Sequence, residues 1–419
     1  MKRTVAGVRR AKGRPVLLLA LVAIAAALLL SACGSRQGIG ASQSWSGVAI
    51  QESAGSAFVG TRDGRIIQLV LQATGNGAVQ ASQGAIFDAK ERPEGKETRS
   101  RVGSAFYGTP TVANGHVYAA SYQGFVYSML AAGADGAPLS NVNAYEIQGD
   151  NLAKGIEGDV IYSNGLLVAA ASENINQGRL YILNADKLDA GATATDVEHC
   201  RYPAGQDKGV GRVWTTPLVV DGIAYFGDLD HQVHAVNIDT CQPVWSAPAE
   251  LGGGIVATPI AINGKLYVGA FDRKMYAIDM STGGTEELFE ADSWFWATPV
   301  ADGNMLYAPN LDGVLYAYDA ASKSLAWQYD QEGDRSTILA APTLVNGNIV
   351  MASDSGTVTV VNEGGSRVAN YAIPGDEIRA PVTSSGTSVY VHTLDEKIVS
   401  FSAGSNNISK DWEFQLQGF

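Results

Sequence analysis

The sequence predicts an all-β protein, a single eight-bladed β-propeller of four-stranded antiparallel blades. Three observations lead to this prediction. The 419 residues are 46% hydrophobic and only 17% charged, so the chain can bury a large core. Its 48 glycines, 17 tyrosines and 11 phenylalanines favour strands joined by tight turns. Finally, one pattern of about 40 to 50 residues recurs along most of the chain, which is typical of propellers.

The first element is an export signal, residues 1–32. It begins with basic residues and no acidic ones, and continues as an apolar run from Pro15 to Leu30. Such a run is short for a bilayer, which needs ~20 residues, so a signal peptide is favoured over a transmembrane anchor. The end of the run, Leu30-Ser31-Ala32-Cys33, resembles the bacterial lipobox, which implies a lipid on Cys33.

Residues 33–44 are then the lipidated cysteine and a flexible tether rich in Gly, Ser and Gln. A lipid on Cys33 predicts an extracytoplasmic protein held at a membrane. In a Gram-negative cell, Gly34 favours the periplasmic face of the outer membrane, because inner-membrane lipoproteins commonly have Asp at this position. In other cells the address is the outer face of the cytoplasmic membrane. The net charge of −13 predicts repulsion from phosphate backbones, so we expect no nucleic-acid partner.

Residues 45–419 form the predicted propeller. Each copy of the pattern is a small antiparallel meander whose two apolar faces are covered only when copies stack radially. Most copies start with a small residue and Pro, which suits the start of an innermost strand. The copies begin near Gly47, Thr109, Asp159, Thr216, Thr258, Thr298, Ala341 and Ala380. This count gives eight blades, with seven as the alternative. We expect ring closure to place the C-terminal strand around Trp412 and the segment around Trp45 in adjacent or shared sheets.

The first turn of each copy is a pair that ends in Gly, mostly Asn-Gly or Asp-Gly, between apolar runs. Such pairs are the strongest short signal for a hairpin, because a type I′ turn requires positive φ at both central residues. The pairs begin at Ala54, Asn114, Asn164, Asp221, Asn263, Asp302, Asn346 and Ser385.

Several copies carry the pattern Ala-x-Asp-x-x-Thr-Gly-x-x-x-Trp after the third strand. It reads Ala235, Asn237, Thr240, Cys241, Trp245 in one copy and Ala317, Asp319, Ser322, Lys323, Trp327 in another. This pattern resembles the tryptophan-docking motif of the quinoprotein-type, or PQQ-like, eight-bladed propellers. The resemblance implies that Trp245, Trp327 and Trp412 pack between neighbouring blades. Two copies depart from the motif, because one has Glu287 in the Trp position and Trp412 lies two positions beyond its expected place.

Dehydrogenases of the PQQ-like family hold PQQ over the ring axis with calcium ligands, a catalytic Asp and, in many members, a disulfide between adjacent cysteines. This chain has three Cys, no adjacent pair and no recognisable ligand set. We therefore expect a protein without catalytic residues, metal or cofactor. PQQ with calcium belongs only to the alternative, a PQQ-dependent quinoprotein dehydrogenase.

Cys200 and Cys241 remain once Cys33 is lipidated. They are 41 positions apart, which is close to one repeat, and the export signal places them outside the reducing cytosol. The sequence therefore predicts a disulfide between them. Two free thiols are the alternative.

Two regions are candidate surfaces for a partner. Long insertions occupy roughly residues 73–106, 131–157 and 185–213, and they are either binding loops or poorly ordered spacers. The second region is the mouth of the channel, where residues before each Pro converge. Aromatic and Arg residues of the kind found in binding hot spots gather there: Tyr107, Arg212, Trp214, Trp294, Trp296 and Arg379. The alternative role for Trp214 and Trp296 is to plug the ring.

In length, lipobox and blade count, the chain is most similar to the BamB-type accessory lipoproteins of outer-membrane protein assembly. That resemblance implies a non-catalytic, monomeric scaffold that binds envelope proteins through loops and helps to deliver unfolded barrel proteins. A glycan- or peptide-binding sensor is a further possibility, for which the same channel aromatics would serve.

Overall fold

The computed structural model describes residues 45–73, 79–89, 105–131, 138–149, 154–205, 209–331 and 336–416. In these ranges 32 strands form eight antiparallel sheets, and each sheet contains four strands that are consecutive in the chain. The sheets are the blades of an eight-bladed β-propeller, so the predicted fold class is confirmed with eight rather than seven blades. Cys33, its lipobox and the tether lie outside the described residues.

Blades 1 to 4 are numbered in chain order. Blade 1 contains β1 (Val48–Gln51), β2 (Ser56–Gly60), β3 (Arg65–Ala73) and β4 (Val79–Asp88). Blade 2 contains β5 (Thr111–Ala113), β6 (His116–Ala120), β7 (Phe125–Leu130) and β8 (Asn143–Glu146). Blade 3 contains β9 (Ile161–Ser163), β10 (Leu166–Ser172), β11 (Gly178–Asn184) and β12 (Glu198–Tyr202). Blade 4 contains β13 (Leu218–Val220), β14 (Ile223–Gly227), β15 (Gln232–Asn237) and β16 (Ala249–Glu250).

Blades 5 to 8 repeat the same plan with shorter connections. Blade 5 contains β17 (Ile260–Ile262), β18 (Lys265–Gly269), β19 (Lys274–Asp279) and β20 (Thr285–Glu290). Blade 6 contains β21 (Val300–Asp302), β22 (Met305–Pro309), β23 (Val314–Asp319) and β24 (Ser324–Asp330). Blade 7 contains β25 (Thr343–Val345), β26 (Asn348–Ala352), β27 (Thr357–Val361) and β28 (Arg367–Ala372). Blade 8 contains β29 (Thr383–Ser385), β30 (Ser388–His392), β31 (Lys397–Ala403) and β32 (Ile408–Gln415).

The predicted insertions fall in blades 1 to 3. Part of the first extends the hairpin of β3 and β4. The third holds two short helices between β11 and β12, α1 (Ala185–Asp189) and α2 (Ala194–Val197). Asp189 of α1 accepts hydrogen bonds from Tyr118 and Ser128 of blade 2, so this insertion joins two blades. Among the helices of the described ranges, none has the length and apolar character needed to cross a membrane.

The first hairpins of seven blades follow the predicted turns, two of them with a shift, whereas blade 1 joins Gln51 to Ser56 through a four-residue loop that contains Ala54 and Gly55. Five turns have positive φ at both central residues, as a type I′ turn requires: Asn114-Gly115, Asn164-Gly165, Asp221-Gly222, Asn263-Gly264 and Asn346-Gly347. In blades 6 and 8 the turn lies one residue later than predicted. Asp302 pairs with Met305, and Ser385 pairs with Ser388, so Gly303 and Gly386 take the first central position.

Neighbouring blades pack through apolar faces, and the same packing closes the ring. Val48 and Ile67 of blade 1 lie in one buried cluster with Tyr390 and Ile398 of blade 8. The N- and C-terminal strands β1 and β32 thus belong to adjacent sheets and do not share one. Each fully buried side chain of this size stabilises the fold by about 1.5–3 kcal/mol.

A second contact between neighbouring blades, here called the joint, lies at the outer strands. The fourth strand of one blade, or in blade 4 the segment that precedes this strand, meets the turn between the third and fourth strands of the next. In the joint of blades 4 and 5, Trp245 Nε1 donates to the Met280 carbonyl at 3.0 Å, and the indole covers Gly283. In the joint of blades 6 and 7, Trp327 Nε1 donates to the Glu363 carbonyl at 2.8 Å, and the indole covers Gly365.

The other joints use different side chains at equivalent positions. Between blades 3 and 4 the predicted disulfide of Cys200 and Cys241 is confirmed, with a Cα–Cα distance of 6.1 Å. Between blades 5 and 6, Lys323 Nζ lies 3.3 Å from Glu286 Oε1. Trp412 of blade 8 lies opposite Ser400, as Trp327 lies opposite Ala317, because the two extra residues lengthen the paired strands of the hairpin by one residue each and leave its turn unchanged in length.

Candidate functional site

One end of the ring gathers most of the predicted partner-binding residues. Successive strands of a blade run in opposite directions, so the connections between blades and the turns between second and third strands lie at the same end. We call this end the mouth. It contains a cavity of about 540 Å³.

The cavity takes one residue from the same place in each of the seven connections between blades and in the segment before blade 1. That place is four residues before the first strand of a blade, or three in blade 1. The eight residues are Trp45, Tyr107, Glu157, Trp214, Val256, Trp296, Leu339 and Arg379. Arg212 and Tyr122 complete the polar and aromatic wall. The cavity is thus a product of the repeat itself.

Five of the six predicted residues line this cavity together, namely Tyr107, Arg212, Trp214, Trp296 and Arg379. Trp294 does not line it. Its ring stacks on Phe271 with centroids 5.1 Å apart, and Phe271 stacks on Trp296 at 5.8 Å. Trp294 therefore supports the cavity wall from behind.

Sequence reasoning missed Trp45, Glu157 and Asp159. The prediction depends on the Pro at the start of each copy, and the first and third copies lack it. Counting the same spacing back from the first strand would have found Trp45 and Glu157. Asp159 lies two residues before β9, in the place that Thr216, Thr258 and Thr298 take in later blades.

Three indoles from blades 1, 4 and 6 meet at the mouth. The ring of Trp296 lies 6.0 Å from Trp45 and 6.3 Å from Trp214, centroid to centroid. Tyr107 packs edge-on against Trp45 at 5.9 Å, and Tyr122 packs against Tyr107 at 5.2 Å. Each such pair is worth about 0.5–1.5 kcal/mol beyond burial. Because blades 1, 4 and 6 lie on different sides of the ring, these contacts cross the channel, and the same indoles line the cavity.

The two arginines of the cavity each have an aromatic face and a carboxylate. The guanidinium of Arg212 lies 5.0 Å from the Trp214 ring and 3.5 Å from Glu157 Oε1. The guanidinium of Arg379 lies 5.8 Å from the Trp45 ring and 2.8 Å from Glu377 Oε2. Both cations are therefore held in place by π faces and by ion pairs.

The two carboxylates of the cavity wall have raised pKa values. Burial raises the pKa of Glu157 to about 7, against the lowering effect of Arg212. Burial raises the pKa of Asp159 to about 6, against the lowering effect of the hydrogen bond that the Thr109 N–H donates at 2.7 Å. Charged groups that lose water in this way are frequent at binding sites.

Comparisons with known proteins support the fold. Residues 229–419, from the second turn of blade 4 to the end, match the family described as "Outer membrane protein assembly factor BamB". The crystal structure of BamB from Moraxella catarrhalis is similar, with a TM-score of 0.62 and 16% identity over 86% of this chain and 94% of that one. No curated protein matches the chain in sequence.

The chain is a PQQ-like β-propeller that resembles BamB. Other propellers share the architecture of this BamB-like chain. The computationally designed Ika8 protein has a TM-score of 0.62 and 16% identity, covering 87% of this chain and 98% of that one. The C-terminal WD40 domain of Sif2 has a TM-score of 0.57 and 10% identity, covering 73% and 84%. At these identities the likeness shows the fold alone.

The donor set of the mouth does not fit PQQ, a quinone that carries several carboxylates. Asp159 would repel such a ligand, and both arginines already pair with carboxylates. Among the described residues, no group of three or more His, Cys, Asp and Glu side chains is arranged to hold a metal ion. We therefore derive no step through PQQ or calcium.

Proposed function

We propose that this chain is a non-catalytic scaffold of the cell envelope that binds partner proteins at the mouth of its propeller. The observation that carries the proposal is the cavity to which all eight blades contribute, because aromatic residues and arginines on a rigid ring are typical of binding hot spots. The family match over residues 229–419 supports the same class of function. Assembly of outer-membrane proteins, which the family description names, is the specific process that we propose.

A lipid anchor at Cys33 would turn the mouth toward the membrane. Trp45, the first described residue, lies in the wall of the cavity, so the preceding segment joins the body at this end. Eleven tether residues span on the order of 20 Å as a flexible coil. We therefore propose that the mouth faces the membrane to which the lipid is attached. Changing Cys33→Ala should release the protein from membranes on fractionation, and retention of the variant would contradict the anchor.

The scaffold proposal is tested by crosslinking in the native envelope. A photo-crosslinking residue at Tyr107 should capture an assembly protein or an unfolded barrel protein of the outer membrane. The matched control is the same residue at Ser281, an exposed position in the turn after β19, at the opposite end of the ring. Absence of any envelope protein at Tyr107, or equal capture at both positions, would contradict binding at the mouth.

The absence of catalysis and of a cofactor is part of the proposal and needs its own test. Addition of PQQ with calcium should leave the melting temperature unchanged and should give no dye reduction with alcohols or sugars. A rise in melting temperature with dye reduction would instead support a quinoprotein dehydrogenase. Saturable binding of a glycan without capture of envelope proteins would support a sensor.

A further inference from the structure

Asp159 differs in charge from the residues at the equivalent place of the other connections. That place is two residues before the first strand, or one in blade 1. The other occupants are Gly47, Thr109, Thr216, Thr258, Thr298, Ala341 and Pro381. Asp159 is therefore the single charged residue in a set that is otherwise small and uncharged.

The hydrogen bonds at this place do not require a carboxylate. Asp159 Oδ1 accepts from the Thr109 N–H of the preceding connection. The same kind of contact recurs further round the ring with a hydroxyl as acceptor, since the Thr258 N–H donates to Thr298 Oγ1 at 3.1 Å. A threonine at position 159 could accept this bond equally well, so the negative charge serves another purpose.

The carboxylate of Asp159 lacks a counter-ion among the residues that the structure describes. The cations of the cavity are engaged elsewhere, Arg212 with Glu157 and Arg379 with Glu377. A carboxylate removed from water without a cation is unfavourable, and charges held in protein interiors are normally paired. Asp159 is only partly covered by protein, and its exposed part faces the cavity.

The rest of the wall suits an apolar body that carries a positive charge. Besides Asp159, three charged side chains line the cavity, Arg212 in an ion pair with Glu157, and Arg379 in an ion pair with Glu377. The large side chains of the wall are aromatic or aliphatic: Trp45, Tyr107, Tyr122, Trp214, Val256, Trp296 and Leu339. Aromatic faces attract cations, and the attraction grows when water is excluded. The volume of about 540 Å³ lies in the range of small-molecule sites.

We propose that Asp159 is the counter-ion for a cationic organic group, an alkylammonium or guanidinium on an apolar body, which binds in the mouth cavity. The group is supplied either by a free amine or by a Lys or Arg side chain of a peptide. This inference goes beyond the scaffold proposal and rests on the cavity alone. With its pKa raised by burial to about 6, Asp159 is mostly ionised at neutral pH and can pair with the cation.

The test compares three probes that share one body and differ in charge. They are 2-phenylethylammonium, 2-phenylethanol and 3-phenylpropionate, titrated calorimetrically into the full chain near neutral pH. We expect the ammonium to bind at least about ten-fold more tightly than the other two, since a close ion pair with little water is worth this much. A second arm compares acetyl-Ala-Lys-Phe-amide with acetyl-Ala-Gln-Phe-amide.

Two variants assign the preference to Asp159. Asp159→Asn and Asp159→Thr both keep an acceptor for the Thr109 N–H, and the second places the residue of later blades at this position. Each should reduce the preference for the cation to within about two-fold. The control is Asp312→Asn, which changes the net charge equally at an exposed turn of blade 6 and should keep the preference.

Each outcome decides the proposal. Tighter binding of the lysine peptide than of the free amine identifies a protein side chain as the source, and the reverse identifies a small amine. If neither cation is preferred, or if Asp159→Thr folds normally and keeps the preference, the proposal is overturned. The crosslinking experiment above stands apart, because an envelope protein can bind at the mouth without any cation preference.

Discussion

The joint between blades 3 and 4 and the joint between blades 4 and 5 both connect the outer edges of neighbouring blades, but they do so with different chemistry. In the first, Cys241 stands in the turn after β15 with φ +53° and is bonded to Cys200 of the preceding blade. In the second, Gly283 stands in the corresponding turn of blade 5 with φ +77° and lies under Trp245 of the preceding blade. In each joint, the residue in the turn therefore forms a matched pair with the residue that contacts it from the preceding blade.

A third joint shows what happens when both partners of the pair change. Blade 5 has no Trp at this position of its fourth strand. In blade 6, Lys323, with φ +56°, occupies the turn position that Gly283 occupies in blade 5. Lys323 then pairs with Glu286 across the joint. The identity of the turn residue therefore depends on the side chain that contacts it from the preceding blade. Where that side chain is Trp, the turn residue is Gly, because the indole leaves no space for a Cβ atom. Four predictions test this pairing.

The largest effect is expected from Trp245→Ala. The side chain is only 5% exposed, and its loss removes both the packing on Gly283 and the hydrogen bond to Met280. We expect a loss of about 3–5 kcal/mol in the free energy of unfolding, measured with denaturant. Trp327→Ala should cost less, because that ring is more exposed. Equal effects for the two would contradict burial as the source.

Removal of the disulfide comes next. Cys200→Ser with Cys241→Ser should lower the free energy of unfolding by about 2–4 kcal/mol, because the bond closes a loop of 41 residues. The sharper variant is Cys200→Trp with Cys241→Gly, which installs the pair found between blades 4 and 5. It should recover at least about 1 kcal/mol of the loss through ring packing. No recovery would show that the two joints are not equivalent.

Gly283→Ala separates close contact from backbone strain. An added Cβ would lie 2.9 Å from Trp245 Cδ2, so we expect a loss of about 1–3 kcal/mol. Gly264→Ala is the matched control, with the same φ of +77° and nothing within 4 Å of the added atom. In the Trp245→Ala background, Gly283→Ala should cost no more than the control. If Gly283→Ala lowered the free energy of unfolding by the same amount in that background, contact with Trp245 would not be the cause, and the matched pair would be refuted.

The blades could be predicted from the sequence because their signals are local. Asn263-Gly264 sets its own turn, whichever blades surround it. The joints were harder, since Trp412 reaches its position through a hairpin whose two strands are each one residue longer, which counting along the motif does not reveal. The chemistry of the mouth depends on convergence of distant segments. The raised pKa of Asp159 comes from burial among connections of other blades, and a linear pattern contains no sign of it.

The smallest effect is expected from Lys323→Gly, because two small terms oppose each other. Gly adopts the positive φ of position 323 without strain, which stabilises the variant by up to about 1 kcal/mol. Loss of the exposed ion pair with Glu286 destabilises it by less than about 1 kcal/mol. Lys265 and Lys323 hold the pKa of Glu286 below its usual range, so the ion-pair contribution is present above the usual pKa and disappears as the pH falls below it. The variant should therefore unfold within about 0.5 kcal/mol of the wild type at neutral pH and should gain relative to it in acid. A loss comparable to that of Trp245→Ala would mean that the Lys–Glu joint holds blades 5 and 6 as firmly as the indole holds blades 4 and 5.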